Sequence, residues 1–430
     1  MPNNKMFYRI LAVMAVMLTA CVARAQQATA EPPAVADAGS WRVSLVTCGP
    51  GSDIYELEGH TGLRLVNEAT GVDEVVNWGL FDFASPGFVY RFVKGETDYM
   101  AGAAPTESFL RMYEADGREV TEQVLELSPD EATRIVALVT DNLKPENRTY
   151  RYNYVADNCA TRPLAIIARA IGDTLALGTP EEAIDNSRSF REAMRYYHRN
   201  YPWYQFGIDL ALGAAIDRPE ARRAMAFSPV ALQQMMDNAI LPSGKPLVAS
   251  TSVMVAGKEG GVSAGPTPWY LTPAAVLWFV FAITLMVTVF DLFTGRLSRG
   301  YDVVLYTAFG LAGCIITFLV FFSVHEPASP NWLLLWLNPL CLLPLILIWT
   351  NGGRRLLMWW QMINFVALIA MCVVWIAGIQ ACNSAFIPLI LSDGVRSLFF
   401  IFYTRCSTPQ NRRRRPLVYR SAAPIVSYVR

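Results

Sequence analysis

Histidine is scarce in this chain, with three in 430 residues, and no cysteines and histidines fall at zinc-site spacing. There is no P-loop and no dinucleotide fingerprint. Basic and acidic residues balance at 36 each, so no net charge draws the chain to nucleic acid or to an acidic surface. The expectations are therefore no cofactor, no metal and no nucleic-acid partner. A disulfide framework is not expected either. Of eight cysteines, Cys21 lies in the leader, Cys314, Cys341, Cys372 and Cys382 lie in or beside apolar runs, and Cys406 follows the last run. Only Cys48 and Cys159 remain. Outside the cytoplasm those two either pair or leave Cys159 as a free thiol, and its setting favours the thiol.

Apolar residues are in excess, at 53%, and they are unevenly spread. Residues 1–25 carry Lys5 and Arg9, an apolar run from Ile10 to Ala20 and then Ala23-Arg24-Ala25, the pattern of a secretory signal. Leu18-Thr19-Ala20-Cys21 also fits a lipobox, and both readings send the following chain outside the cytoplasm. Residues 26–39 read as a linker. Residues 40–241 read as an α+β domain with a helical C-terminal part, residues 242–268 as a second linker and residues 405–430 as a basic cytoplasmic tail. Within the domain, strands are expected at Trp41–Thr47, around His60, at Glu74–Trp78 and at Arg118–Leu127. Helices are expected after Ser85-Pro86, from Thr106, and from the capping box Ser128-Pro129-Asp130-Glu131. The aromatic cluster Tyr201–Phe206 reads as helical core, as a bilayer-interface patch or as a substrate cover.

Between residues 269 and 404 lie five apolar runs, about 273–290, 303–324, 332–350, 356–379 and 385–403, each near the ~20 residues that cross a hydrocarbon core. Arg296 and Arg299, Arg354 and Arg355, and Arg412–Arg415 fall in alternate connections, whereas 325–331 and 380–384 hold no Lys or Arg. The positive-inside rule puts the Arg-bearing segments in the cytoplasm and the α+β domain outside it. An inner-membrane, multi-pass protein with a periplasmic domain is expected. Asp393 and Arg396 interrupt the last run and are spaced to pair across one helical turn.

The chemistry centres on Arg151–Pro163. An aromatic strand-like run leads through Asp157 and Asn158, both good helix caps, to Cys159, and Leu164, Ile167, Ala168 and Ile171 then recur at helical spacing. A thiol at a helix start is expected to have a lowered pKa. It needs a base, and His60 in the strand GHTGLRLV is the candidate; Gly59 beside it permits close approach. His198, in SFREAMRYYHRN, reads as solvated. Glu74 or Asn77 could orient the imidazole, with Asn77 preferred, and the Cys159 N–H could stabilise an oxyanion. Because the His precedes the Cys, a permuted papain-like arrangement is expected.

The segments CGPGSDIYELEGHTGLRLV, VVNWGLFDF, FVKGETDYM and YNYVADNCATRP, with SVHEPASPNWLLLWLNPL in the apolar half, resemble the Lnb-type lipoprotein N-acyltransferases of Gram-negative bacteria. That resemblance implies a permuted papain-like, NlpC-like external domain joined to an all-α transmembrane domain. It makes Cys159 the acyl-accepting nucleophile and His60 its base, with Arg64 and Asn158 in support. The implied partners are a phospholipid acyl donor and an immature lipoprotein acceptor. His325, in an external loop, could bind a headgroup, dock the domain or do neither. A wall-peptide thiol amidase and a non-catalytic binding domain with a Cys48–Cys159 disulfide are the rival readings.

Overall fold

In the computed structural model, residues 40–82, 84–172, 175–262, 265–350 and 352–406 are described. The leader with Cys21, the linker 26–39 and Arg412–Arg415 lie outside them. The described residues divide into two compact units, one formed by 40–197 and 219–265, the other by 198–218 and 266–406.

Alternation of apolar residues builds the first unit around one sheet. Its strands are β1 (Trp41–Cys48), β2 (His60–Asn67), β3 (Val72–Leu80), β4 (Asp98–Pro105), β5 (Val120–Leu125), β6 (Thr149–Arg151) and β7 (Val248–Val255), in the spatial order β6-β4-β3-β2-β1-β5-β7. All pairings are antiparallel. The register sets Cys48 opposite His60 and Gly62 opposite Asn77. The helices are α1 (Phe88–Lys94), α2 (Thr106–Asp116), α3 (Pro129–Leu143), α4 (Thr161–Ile171), α5 (Glu182–Asp185) and α6 (Phe190–Tyr197). Beyond these, α7 (Pro202–Ala211) belongs to the second unit and α8 (Pro229–Asp237) to the first.

Val43, Leu45, Leu63, Leu65, Val76 and Trp78 share a core with Ile135 and Val139 of α3 and Ile167 of α4. Each fully buried side chain of this size contributes about 1.5–3 kcal/mol. A smaller cluster joins Val46, Cys48 and Val75 to Phe109 and Tyr113 of α2. The expected capping box opens α3, with Ser128 Oγ accepting from Glu131 N and Glu131 accepting from Ser128 N at 2.8 Å. Two strands were not expected. β4 reads weakly because Ala101, Gly102, Ala103 and Ala104 carry little β signal. β7 lies inside the expected linker 242–268, which is therefore not a linker over its strand; paired along β5, it takes its order from that partner.

The second unit contains four helices of membrane-crossing length: α9 (Pro273–Thr294), α10 (Arg299–Phe321), and, after α11 (Leu343–Leu347), α12 (Gly353–Ile376) and α13 (Phe386–Cys406). The expected third run is not one long helix. It is a chain of short turns, Trp332–Leu335 and Pro339–Leu342, followed by α11. Pro339 and Pro344 lack N–H donors, and Asn331 and Asn338 turn their side chains back on Leu333 N and Leu340 N, restarting the chain each time. Gly313 of α10 lets this segment in: a Cβ there would lie 2.5 Å from the Asn338 backbone.

Asp393 and Arg396 do not pair with each other. Arg396 reaches Asp302 at 2.7 Å, Asp291 at 3.0 Å and Thr288 at 3.1 Å. Asp393 instead accepts from Tyr306 and Asn364. Fully buried charges need partners on neighbouring helices, and the two acidic groups on α9 and α10 satisfy a guanidinium fork that one carboxylate could not. The aromatic run Tyr201–Phe206 also belongs to this unit, where Phe206 and Leu210 pack against the same apolar cluster as Tyr306 and Trp336.

Candidate active site

The loop before α4 is fixed by its own side chains. Asn153 and Asp157 bridge through their backbones, and Asn153 Oδ1 accepts from Val155 N and Ala156 N. Asn158 folds the chain just ahead of α4, its Oδ1 accepting from Ala160 N at 2.8 Å and Thr161 N at 2.9 Å. Its Nδ2 donates to Tyr154 O and Phe227 O. Four bonds consume the amide, so Asn158 positions the Cys159 loop. Cys159 lies two residues before the first turn of α4, and both it and Cys48 are free and buried. The disulfide alternative is thus not what the structure contains.

His60 opens β2. Its Nε2 lies 3.1 Å from Asn77 Oδ1, while Asn77 Nδ2 donates to Val75 O at 3.3 Å. With the amide hydrogens of Asn77 directed at a carbonyl, its oxygen must accept. His60 Nε2 therefore carries the proton, and Nδ1 presents the lone pair. Glu74 is three positions away along β3, on the opposite face of the pleat, and cannot fill this role.

Gly79 lies two residues past Asn77 in β3, where that strand shifts register against β4. A Cβ at Gly79 would fall 3.3 Å from the Tyr152 ring and 4.0 Å from Cys159 Cβ, and Gly79 has φ +89. Cys159 thus lies by Gly79 of β3 and the Thr61 backbone, the residue after His60 on β2. The backbone N–H of Thr61 and the Tyr152 hydroxyl lie where they favour a negative sulfur. Burial nevertheless outweighs these donors and pushes the Cys159 thiol up to about 11. Burial, opposed by the Asn77 bond and reinforced by the nearby Arg118 charge, brings His60 down to about 4. The expected lowering of the thiol pKa does not occur. Cys159 precedes the helix and does not sit in its first turn, and an enclosed sulfur pays more in lost hydration than the helix end returns. At neutral pH the pair is thiol and neutral imidazole.

Cys48 faces His60 from β1 but is wholly buried, and burial holds its thiol at about 12 despite Arg118 and Tyr113. Gly59 makes its close approach to the Cys48 carbonyl, where a Cβ would lie at 2.5 Å. Arg64 is committed elsewhere: it bonds Asp73 at 2.6 and 2.8 Å and Glu122 at 3.0 Å, bracing β2 to β3 and β5. This clamp is where the structure places the residue expected to support the site. His325 belongs to the second unit, where its N–H donates to Ser323 Oγ at 3.1 Å. His198 is also there and is not solvated: it is 1% exposed, its Nδ1 lies 2.8 Å from Gln205 Oε1, and burial brings it to about 4. α6 ends at Tyr197, so His198 leaves the helical face that the spacing assigned to it.

Three groups at the site were missed in the sequence. Tyr152 and Glu58 stand in the segments that carry Cys159 and His60, yet neither is of a type that announces chemistry. Glu58 accepts from Tyr154 OH at 2.9 Å, tying the His60 segment to the Cys159 loop, and burial raises its carboxyl to about 7. Arg118 pairs with Glu56 at 2.7 Å and donates to Gly49 O at 2.9 Å. Among the described residues no three His, Cys, Asp or Glu side chains are grouped to hold a metal.

These features define a class: a membrane protein whose sheet-rich domain carries a cysteine and an amide-held histidine, followed by a helical domain of apolar helices. Two family models match the chain, the Lnb N-terminal periplasmic domain over residues 30–190 and the Lnb transmembrane domain over residues 266–407. The chain belongs to the Lnb family, with its N-terminal domain periplasmic and its C-terminal domain in the membrane. No curated protein and no solved structure matches it.

Proposed function

We propose that the protein is a lipoprotein N-acyltransferase of the inner membrane, with a permuted papain-like periplasmic domain and a cytoplasmic C-terminus. Membership of the Lnb family supports an acyltransferase. The observation that carries the chemistry is the convergence of Thr61 N–H, Tyr152 O–H and the Gly79 side of β3 on Cys159, at the end of β2 where His60 stands.

His60 Nδ1 takes the thiol proton as Cys159 Sγ attacks an ester carbonyl of a phospholipid. The tetrahedral oxyanion is stabilised by the Cys159 N–H together with donors already gathered there. As the C–O bond breaks, His60 returns the proton to the leaving glycerol oxygen, and a lysophospholipid departs. The neutral α-amine of a lipid-modified N-terminal cysteine then attacks the thioester. Its proton passes through His60 to the sulfur as the C–S bond breaks, leaving an amide and the free thiol. Asn77 keeps the imidazole in the tautomer that this shuttle needs. The alternation of Arg-bearing connections supports a fifth crossing by the broken segment Trp332–Leu347, whose irregular backbone is shielded by burial of Leu333, Trp336 and Cys341.

The test is intact mass of the purified protein after incubation with phospholipid. One acyl chain is expected on wild type and Cys48→Ser, and none on Cys159→Ser or His60→Ala. Loss of acylation in Cys48→Ser alone would make Cys48 the nucleophile in place of Cys159. Release of amino acids from wall fragments without acyl mass would establish a thiol amidase instead.

A further inference from the structure

We propose that α1 is a lipid-contacting surface of the periplasmic domain and the place where an acyl chain enters toward Cys159; the second half of this proposal rests on the acyltransferase reading. α1 has the sequence FVYRFVK and contains no buried residue. Val89 is 73% exposed, Tyr90 59% and Phe92 47%. Three large apolar side chains on one seven-residue helix form a patch that a water-facing surface does not require. Arg91, bonded to Ser85 Oγ, and Lys94, paired with Glu96 at 2.7 Å, share the helix, and the stems of such side chains lie readily along acyl chains.

A continuous row of aromatic rings runs from this patch to the sulfur. Phe92 stacks on Phe88 at 5.8 Å between centroids, and Phe88 stacks on Phe81 at 5.7 Å. Phe81 meets Tyr99 at 5.0 Å, and Tyr99 stacks on Tyr152 at 4.6 Å. The Tyr152 ring and Cys159 then flank Gly79, where a Cβ would lie 3.3 Å from the ring and 4.0 Å from Cys159 Cβ. One end of the row is exposed on α1 and the other is at the nucleophile. Ring packing alone would account for the inner contacts, but Val89 beside the outer end is 73% exposed. A bilayer is the occupant that fits. The described residues include four helices of membrane-crossing length, and the patch combines apolar and basic side chains. The row also supplies an apolar path to the thiol that a phospholipid ester must reach.

The test uses the full-length protein in nanodiscs of phosphatidylethanolamine and phosphatidylglycerol. p-Benzoylphenylalanine is placed at Val89 or, as a control, at the exposed Glu107 of α2. On irradiation, adducts of phospholipid mass are expected at least tenfold more often at position 89. Equal yields at the two positions, or an adduct with a second copy of the chain, would overturn the proposal. The double variant V89E/Y90E is expected to load Cys159 at least tenfold more slowly from bilayer phospholipid and at the wild-type rate from a water-soluble short-chain phenyl ester. An unchanged rate from the bilayer, or equal loss with both donors, would also overturn it. Lipid adducts at position 89 in a protein that never gains acyl mass would uphold the surface and refute the Cys159 chemistry instead.

Discussion

Iodoacetamide should alkylate Cys159 slowly at neutral pH, and about tenfold faster for each added pH unit until the pH approaches about 11, where the thiol ionises. At pH 7 the thiolate fraction is on the order of one in ten thousand. Moving the proton from a thiol near 11 to an imidazole near 4 costs on the order of 10 kcal/mol. A turnover near one per second corresponds to a barrier of about 17 kcal/mol, so the ion pair fits beneath it without accumulating. Proton transfer then accompanies attack on the ester and does not precede it. The assay is carbamidomethylation of the peptide containing Cys159, followed by mass across about pH 5 to 11. His60→Ala should leave this alkylation profile nearly unchanged while abolishing acyl loading. A fast plateau from about pH 5 to 8, lost in His60→Ala, would reveal a preformed thiolate–imidazolium pair and refute the reasoning.

Gly79→Ala should cost about 1–2 kcal/mol from its φ of +89. Its methyl would also press on the Tyr152 ring, so both the thermal midpoint and acyl loading should fall; an unchanged loading rate would remove Gly79 from the site. Glu58 has an opposite effect on stability. Its carboxyl keeps a proton up to about 7 in the folded protein against an ordinary 4.5, so it costs stability as pH rises through that interval, by about 3 kcal/mol above it. Glu58→Gln should therefore raise the thermal midpoint near pH 8 and leave it nearly unchanged near pH 4, and the reverse pattern would contradict the burial assigned to this group. Arg396→Leu strands Asp291 and Asp302 and should destabilise the membrane unit by about 3–5 kcal/mol in a denaturant titration, whereas Asp393→Asn should cost far less.

Local patterns of residue type were enough to read much of this chain. Alternation gave β1, β2, β3 and β5; the Ser128 capping box gave the start of α3; apolar runs gave α9, α10, α12 and, despite Asp393 and Arg396, α13. His60 and Cys159 could be picked out as candidates because the chain has three histidines and residues 40–241 hold two cysteines. The tertiary structure alone decided what depends on neighbours distant in sequence. β4 and β7 are strands because partners lend them hydrogen bonds. Prolines and asparagine caps break the third apolar run, and Gly313 gives it room against α10. Arg396 chooses acids on other helices over the one a turn away. The ionisation of the thiol was beyond the sequence for the same reason. A pKa depends on how much water reaches the sulfur, and the packing of Tyr152, Thr61 and Gly79 around Cys159 sets that, whereas a position near a helix start does not.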